Sequence, residues 1–328
     1  MKLDVIIATF NRSSVLRRAM SSLFEAERTP DLEVVITIVD TSTDDTRQVV
    51  EEFQRRNEIE VRYIFEPRRG KSRALNTGIE QSTADLIGLT DDDIEVAPNW
   101  YVEIARLFRE RWDEIDYVGG KVLPRWEVPP PAWLPSERPG VLSLHDHGDE
   151  EIVYSQEFEG QLTGAHGILK LSTLKAVGPY NENLGPMGGS LLGSEDDEMY
   201  IRLLGAGFRG IYYPKLSVYH RVPAYRLTKK YYRKWCYGWG RAQSQIDMEH
   251  PAYQGPRILG VPRYMYGDVG RNTSKWVRGL LKRDAGQRFN GELSLWVFMG
   301  FFYARNLQRS PLNSLIQSLR GKRAEQTR

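Results

Sequence analysis

The chain has 328 residues, 41% hydrophobic and 27% charged, which excludes wholesale disorder and allows two domains. A net charge of +2 excludes a protein that is basic throughout, yet it hides a split: residues 1–220 carry 24 basic and 37 acidic side chains, residues 221–328 carry 21 and 6. The single cysteine, Cys236, excludes an intramolecular disulfide and fits a reducing compartment, and the opening MKLDVIIATF lacks the pattern of a secretory signal.

Val5–Thr9 is a continuous apolar run with β-branched residues, the mark of a strand buried on both faces. Apolar residues at Val15, Ala19 and Leu23 predict a helix from Ser13 to about Glu25. A second buried strand, Val34–Val39, ends at Asp40, and a helix follows from Asp44 to Arg56. Val61–Phe65 is a third strand, and Lys71 to about Ser82 a helix that ends near Gly78. Leu86–Leu89 runs into Asp91-Asp92-Asp93, Pro98 opens a helix to about Trp112, and Tyr117–Leu123 is a fifth strand. This alternation predicts an α/β fold built on a mostly parallel sheet, with ligands at the carboxyl ends of the strands.

Residues 124–160, with PRWEVPPPAWLPSERPG, read as a long Pro/Trp-rich surface excursion of the kind that covers a site. Thr163–Lys170 resumes a strand, Ser194–Leu204 is a helix, and Ile211–Tyr213 and Val218–His220 are two short strands. The catalytic domain is thus expected over 1–223. Residues 224–328 form a basic, aromatic, helical region with a frayed polar tail from Ser318. Its most apolar stretch, Leu293–Leu307, is too short to span a membrane.

Three adjacent carboxylates at a strand end repel one another unless a cation joins them, and hard oxygen donors suit Mg²⁺ or Mn²⁺ beside substrate phosphates. Asp91, Asp92 and Asp93 are therefore a candidate metal–phosphate site, or else a solvated acidic turn. Ser194-Glu195-Asp196-Asp197-Glu198 opens a helix, where acids suit the dipole and Ser194 would be the N-cap. Four in a row after the glycine-rich LGPMGGSLLG also suggest a general base on a loop that closes on a ligand. Arg68, Arg69, Lys71 and Arg73 crowd a helix start and ask for an anion. His220, at a strand end, is a lone histidine that is either structural or a ligand. No GxGxxG, P-loop, GxSxG or CxxC is present.

In order and spacing, VIIATFNR, IVDTSTDDT, RRGKSRALNTGI, LTDDD and GSEDDEMYIRL resemble family 2 glycosyltransferases of the GT-A fold, over about residues 3–220. The resemblance implies transfer of a sugar from a nucleotide-diphosphate donor, with inversion, to a saccharide or lipid-linked hydroxyl. It implies a divalent cofactor, Mn²⁺ or Mg²⁺. Thr9, Asn11, Arg12 and Asp40 would line the nucleoside, with uracil the favoured base, and Lys71 and Arg73 would lie along the nucleotide and diphosphate. Asp93 would ligate the metal, with Asp91 and His220 beside it, and Asp91 or Asp92 would reach the ribose or a metal-bound water. Asp196, in the pair with Glu195, matches the general base; because the motif here is E-D-D-E, Asp197 is an alternative. Gly164 and Ala165 resemble the small-residue strand on the acceptor side.

A sugar-nucleotide nucleotidyltransferase is the rival enzyme, disfavoured by TFNRSS after the first strand where a Gly-rich phosphate loop is expected. A non-catalytic glycan or lipid-head-group binding module would have lost the metal or base carboxylates, which are present. Trp126 and Trp133 either pack the Pro-rich stretch, the favoured reading, or stack on a sugar. The basic aromatic third suggests contact with an anionic membrane surface, hence a cytoplasmic protein peripheral at the inner face, and no nucleic-acid partner.

Overall fold

A computed structural model of the chain describes residues 1–158, 162–186, 193–251, 253–281 and 284–307. Most of the glycine-rich lead-in (187–192) and the tail from 308 lie outside these residues. The elements run β1 (Lys2–Thr9), α1 (Ser13–Glu25), β2 (Glu33–Asp40), α2 (Thr46–Gln54), β3 (Glu60–Phe65), α3 (Lys71–Gln81), β4 (Leu86–Asp91), β5 (Ile94–Val96), α4 (Trp100–Arg111) and β6 (Tyr117–Trp126). Then follow β7 (Ile152–Val153), β8 (His166–Lys170), α5 (Leu171–Val177), α6 (Glu195–Gly205), β9 (Gly210–Val222), α7 (Lys229–Glu249), β10 (Arg257–Ile258), β11 (Val261–Pro262), α8 (Arg263–Leu281) and α9 (Ala285–Phe302). The chain gathers into two compact units: Met1–Pro129, Leu142–Gly189 and Glu195–Ala224 form one, and Pro130–Val141, Ser190–Ser194 and Tyr225–Arg328 the other.

The first unit is an α/β layer structure. Its sheet runs β3-β2-β1-β4-β8-β6-β9-β5, with β7 on β9. β3, β2, β1 and β4 are parallel, and β8 lies antiparallel between β4 and β6. Successive side chains of β1 enter opposite cores: Val5 and Ile7 pack with α1, α2 and α4, while Ile6 packs with α3, α5 and α6. Each such fully buried aliphatic contributes about 1.5–3 kcal/mol, and this two-faced burial is why the strands read as unbroken apolar runs. Thr9, Asp40 and Asp91 then emerge at one edge, the carboxyl ends of β1, β2 and β4.

Four expectations are corrected. Gly78 does not stop α3; a Cβ there would meet Ile6 Cγ2 at 2.7 Å, so the glycine admits close helix–sheet contact. The two short strands after residue 210 are one strand, β9, which absorbs Pro214 in an irregularity of its pairing with β6. The excursion is not a single loop: residues 124–126 continue β6, Ile152–Val153 pairs with β9, and Pro130–Val141 belongs to the second unit. Ser194 does not cap α6, because it takes φ 76 and its Oγ has no hydrogen-bond partner among the described residues.

The second unit is helical. Gly240 of α7 and Gly300 of α9 let these helices touch backbone to backbone, since a Cβ would lie 2.0 Å from the Val297 carbonyl or 2.1 Å from that of Tyr237. Trp133 stands edge-on to Tyr232 and Phe289, at 5.7 and 5.1 Å between centroids, and Arg138 donates to Asn290 at 2.6 Å. Trp133 therefore packs inside this unit. No described helix is long and apolar enough to cross a membrane.

Candidate active site

The parallel strands present their last residues side by side, Thr9 opposite Asp40 and Ala8 opposite Asp91. Asp40 is buried; its Oδ1 accepts from Ser42 N at 2.8 Å and its Oδ2 from the Tyr63 hydroxyl at 2.9 Å. Burial and the Asp40 carboxylate together push the Tyr63 hydroxyl up to about 12. Asn11 takes φ 51, donates its N–H to Ser42 Oγ at 2.7 Å and accepts from Thr43 N at 2.8 Å. The loops after β1 and β2 are thus tied into one rim. Phe10 stands on this rim, 38% exposed beneath the Arg69 guanidinium at 4.7 Å. Sequence reasoning passed over Phe10; an aromatic directly after a buried parallel strand, at its carboxyl end, was the available signal.

The acidic triplet does not behave as one cluster. Asp91 ends β4, whereas Asp92 and Asp93 form the buried turn into β5. Thr9 Oγ1 donates to Asp92 at 2.9 Å, and Arg12 reaches both Asp92 and Asp93, the latter at 2.9 Å. Burial pushes the Asp92 carboxyl up to about 7 against the pull of Arg12. Because β5 pairs with β9 in the register Ile94 to His220, His220 Nε2 lies 3.3 Å from Asp93 Oδ2. A carboxylate oxygen and an imidazole nitrogen, donor types that suit Mn²⁺ or Mg²⁺, thus meet in a buried setting where the Arg12 guanidinium already balances the carboxylates. Among the described residues no group of three or more Asp, Glu, His or Cys side chains is arranged to hold a metal ion by itself. Phosphate oxygens and water would therefore have to complete a shell begun by Asp93 and His220.

Asp91 points the other way, to Lys71. Lys71 Nζ lies 2.8 Å from Asp91 Oδ1 and 3.2 Å from Glu195 Oε1, so a partly buried cation at the start of α3 joins β4 to α6. Burial alone would lower this amine, but the carboxylates of Asp91, Asp196 and Glu195 hold it well above its usual value. Beside it, Asp196 lies directly against Gly164, where a Cβ would meet its Oδ1 at 2.3 Å. Asp196 Oδ1 is shut from solvent and has no hydrogen-bond partner among the described residues. Burial and the neighbouring Glu195 push the Asp196 carboxyl up to about 8, against the pull of Lys71. That suits a group that takes up a proton. Glu198 is spent on Arg202 at 2.8 Å, and Arg202 in turn holds the carbonyl of Val177 at 2.7 Å. Asp197 is partly exposed on the same first turn.

Arg73 pairs with Glu182 at 2.9 Å, and Arg68 with Glu66 at 2.8 Å, so neither stands open beside Lys71. Trp126 ends β6 opposite Val222. His145 pairs its backbone with Val122, and the thiol of Cys236 is buried.

Residues 4–138 match the sequence family described as Glycosyl transferase family 2. A glucosyl-dolichyl phosphate glucuronosyltransferase of Haloferax volcanii is 24% identical over 254 residues, 76% of this chain and 79% of that protein. The GalNAc(5)-diNAcBac-PP-undecaprenol beta-1,3-glucosyltransferase of Campylobacter jejuni is 32% identical over 97 residues, 29% of this chain and 30% of that protein. Among solved structures, the mannosyltransferase PcManGT of Pyrobaculum calidifontis, in complex with GDP-Man and Mn²⁺, superposes with a TM-score of 0.61 at 17% identity, covering 92% of this chain and 86% of that one. TarS 1–349 of S. aureus in complex with UDP-GlcNAc gives 0.51 at 15%, covering 90% and 91%. At these identities the two structures establish the fold, GT-A.

Proposed function

We propose that this chain, which matches the Glycosyl transferase family 2 model over residues 4–138, is a glycosyltransferase that moves a sugar from a nucleotide-diphosphate donor, UDP-linked by preference, to a hydroxyl with inversion. The observation that carries this is the Asp91–Lys71–Glu195 bridge, in which one partly buried cation ties the strand end that leads into the Asp93–His220 pair to the helix turn that bears Asp196. Asp40 and the rim of Thr9, Asn11 and Phe10 would hold the nucleoside, with the Phe10 ring as a stacking face. Asp93 and His220 would hold the divalent ion, which when bound neutralises the diphosphate oxygens. Lys71 fixes Asp91 and Glu195, and it keeps the base carboxylate from drifting still higher in pKa. Asp196, held against Gly164, accepts the proton of the acceptor hydroxyl as it attacks.

The relatives named for dolichyl phosphate and for PP-undecaprenol support a lipid-linked or saccharide acceptor, in glycan, polysaccharide or glycolipid assembly. The basic second unit fits work against an anionic membrane surface. The test is a calorimetric panel of UDP, GDP, dTDP and CMP with and without Mn²⁺, run on the wild type, Asp93→Ala and Asp196→Asn. Asp93→Ala should lose metal-dependent binding. Asp196→Asn should bind donor normally and lose transfer, and turnover retained in it would move the base to Asp197.

A further inference from the structure

Between α7 and α8 the strands β10 and β11 pair Arg257 with Pro262 and Ile258 with Val261. The turn joining them is Leu259-Gly260, at φ 49 and 73. A tight turn with both φ positive selects Asn or Gly, and a branched aliphatic residue in its first place is strained. Leu259 is nevertheless 67% exposed, and Ile258 beside it 48%. Conformation and solvation would both favour a polar residue here.

The tip is rigidly held. Arg257 forks onto Asp247 at 2.7 and 2.8 Å, the Tyr266 hydroxyl donates to the Ile258 carbonyl at 3.0 Å, and the Arg305 side chain lies against Gly260. Three anchors thus maintain a strained turn that shows two aliphatic side chains to water. The chain then passes directly into α8, on which Arg263, Tyr264, Arg271, Lys275, Val277 and Arg278 are exposed. Tyr264, Arg271, Lys275 and Arg278 follow helical spacing along one stripe. The one acid of α8, Asp268, is ion-paired with Arg271.

We propose that the Leu259 tip inserts into the interfacial layer of an anionic lipid bilayer while the cationic stripe of α8 lies on its head groups. This rests on the membrane reading above and says which residues perform it. An acidic polymer would engage the cations but leave the aliphatic tip without a partner; a bilayer takes both.

The experiment uses the full chain and vesicles of phosphatidylcholine with and without phosphatidylglycerol. In Leu259→Cys, an environment-sensitive fluorophore labels the new thiol selectively, because Cys236 is buried. Its emission should shift to the blue on anionic vesicles and be quenched by brominated acyl chains. Leu259→Gly relieves the positive φ, so it should melt no lower than wild type yet partition about tenfold more weakly onto vesicles. A role for Leu259 in packing would move the melting temperature down instead. The proposal is overturned if the wild type binds vesicles while the label stays in water, or if Leu259→Gly partitions as the wild type does. A wild type that binds no vesicles, or binds only DNA, removes the membrane reading as a whole; nucleotide binding in the same preparation reports separately on folding and on the donor site.

Discussion

Replacing Gly164 by alanine tests the base assignment without touching a charged group. The added methyl would sit 2.3 Å from Asp196 Oδ1, 2.6 Å from Oδ2 and 2.7 Å from Cγ, where ordinary contact begins near 3.4 Å. The carboxylate must retreat by about 1 Å, and a displacement of that size from a productive geometry costs about 100-fold in rate. Overpacking should cost only about 1–3 kcal/mol of stability. Gly205→Ala is the control, because a Cβ there meets nothing within 4 Å. The assay combines calorimetric donor binding, a thermal melt and sugar transfer. The expected result is unchanged donor affinity, a small drop in melting temperature and a roughly 100-fold fall in kcat. Turnover within about threefold of wild type in a folded Gly164→Ala protein would refute the placement of the base.

Three further outcomes follow from the same geometry. With the Asp196 carboxyl at about 8, kcat/KM should rise with pH through an acid limb near that value; Lys71→Met, which removes a cation favouring the charged form, should move the limb higher, read from a pH–rate profile. Arg12→Gln leaves Asp92 and Asp93 without their guanidinium, so the metal-free protein should melt lower, and Mn²⁺ should raise its melting temperature more than it raises that of wild type. Trp133→Ala removes a ring packed on Tyr232 and Phe289 and should cost about 3 kcal/mol in a urea titration.

What the sequence disclosed follows from how local each cause is. The parallel strands were legible because burial on both faces leaves unbroken apolar runs, and their ends were legible because Asp40 and Asp91 terminate those runs. Pairings made across the chain were not. Lys71 read as a phosphate-facing cation in a basic turn, yet its partners Asp91 and Glu195 lie 20 and more than 100 residues away, and only folding brings them to it. The pairing of Arg73 with Glu182 was hidden for the same reason. Ile211–Tyr213 and Val218–His220 read as two strands because a local rule cannot see that the neighbouring strand absorbs the defect between them. The attachment of Pro130–Val141 to the helical unit depends on Trp133 and Arg138 finding partners in α7 and α9, which no composition bias announces.

The irregularity around Pro214 has a consequence for sequence change. Before it, Gly119 of β6 pairs with Tyr212; after it, Lys121 pairs with Ser217, so β9 has gained three residues on its neighbour. An odd gain reverses the parity of the strand, and parity decides which face every later side chain occupies. His220 meets Asp93 only on the present count. Losing a single residue between Tyr213 and Leu216 would present Arg221 there instead, and gaining one would present Tyr219, with every side chain of the proposed site still encoded. In this chain the length of a bend several residues upstream is as much a part of the proposed site as the histidine it aims.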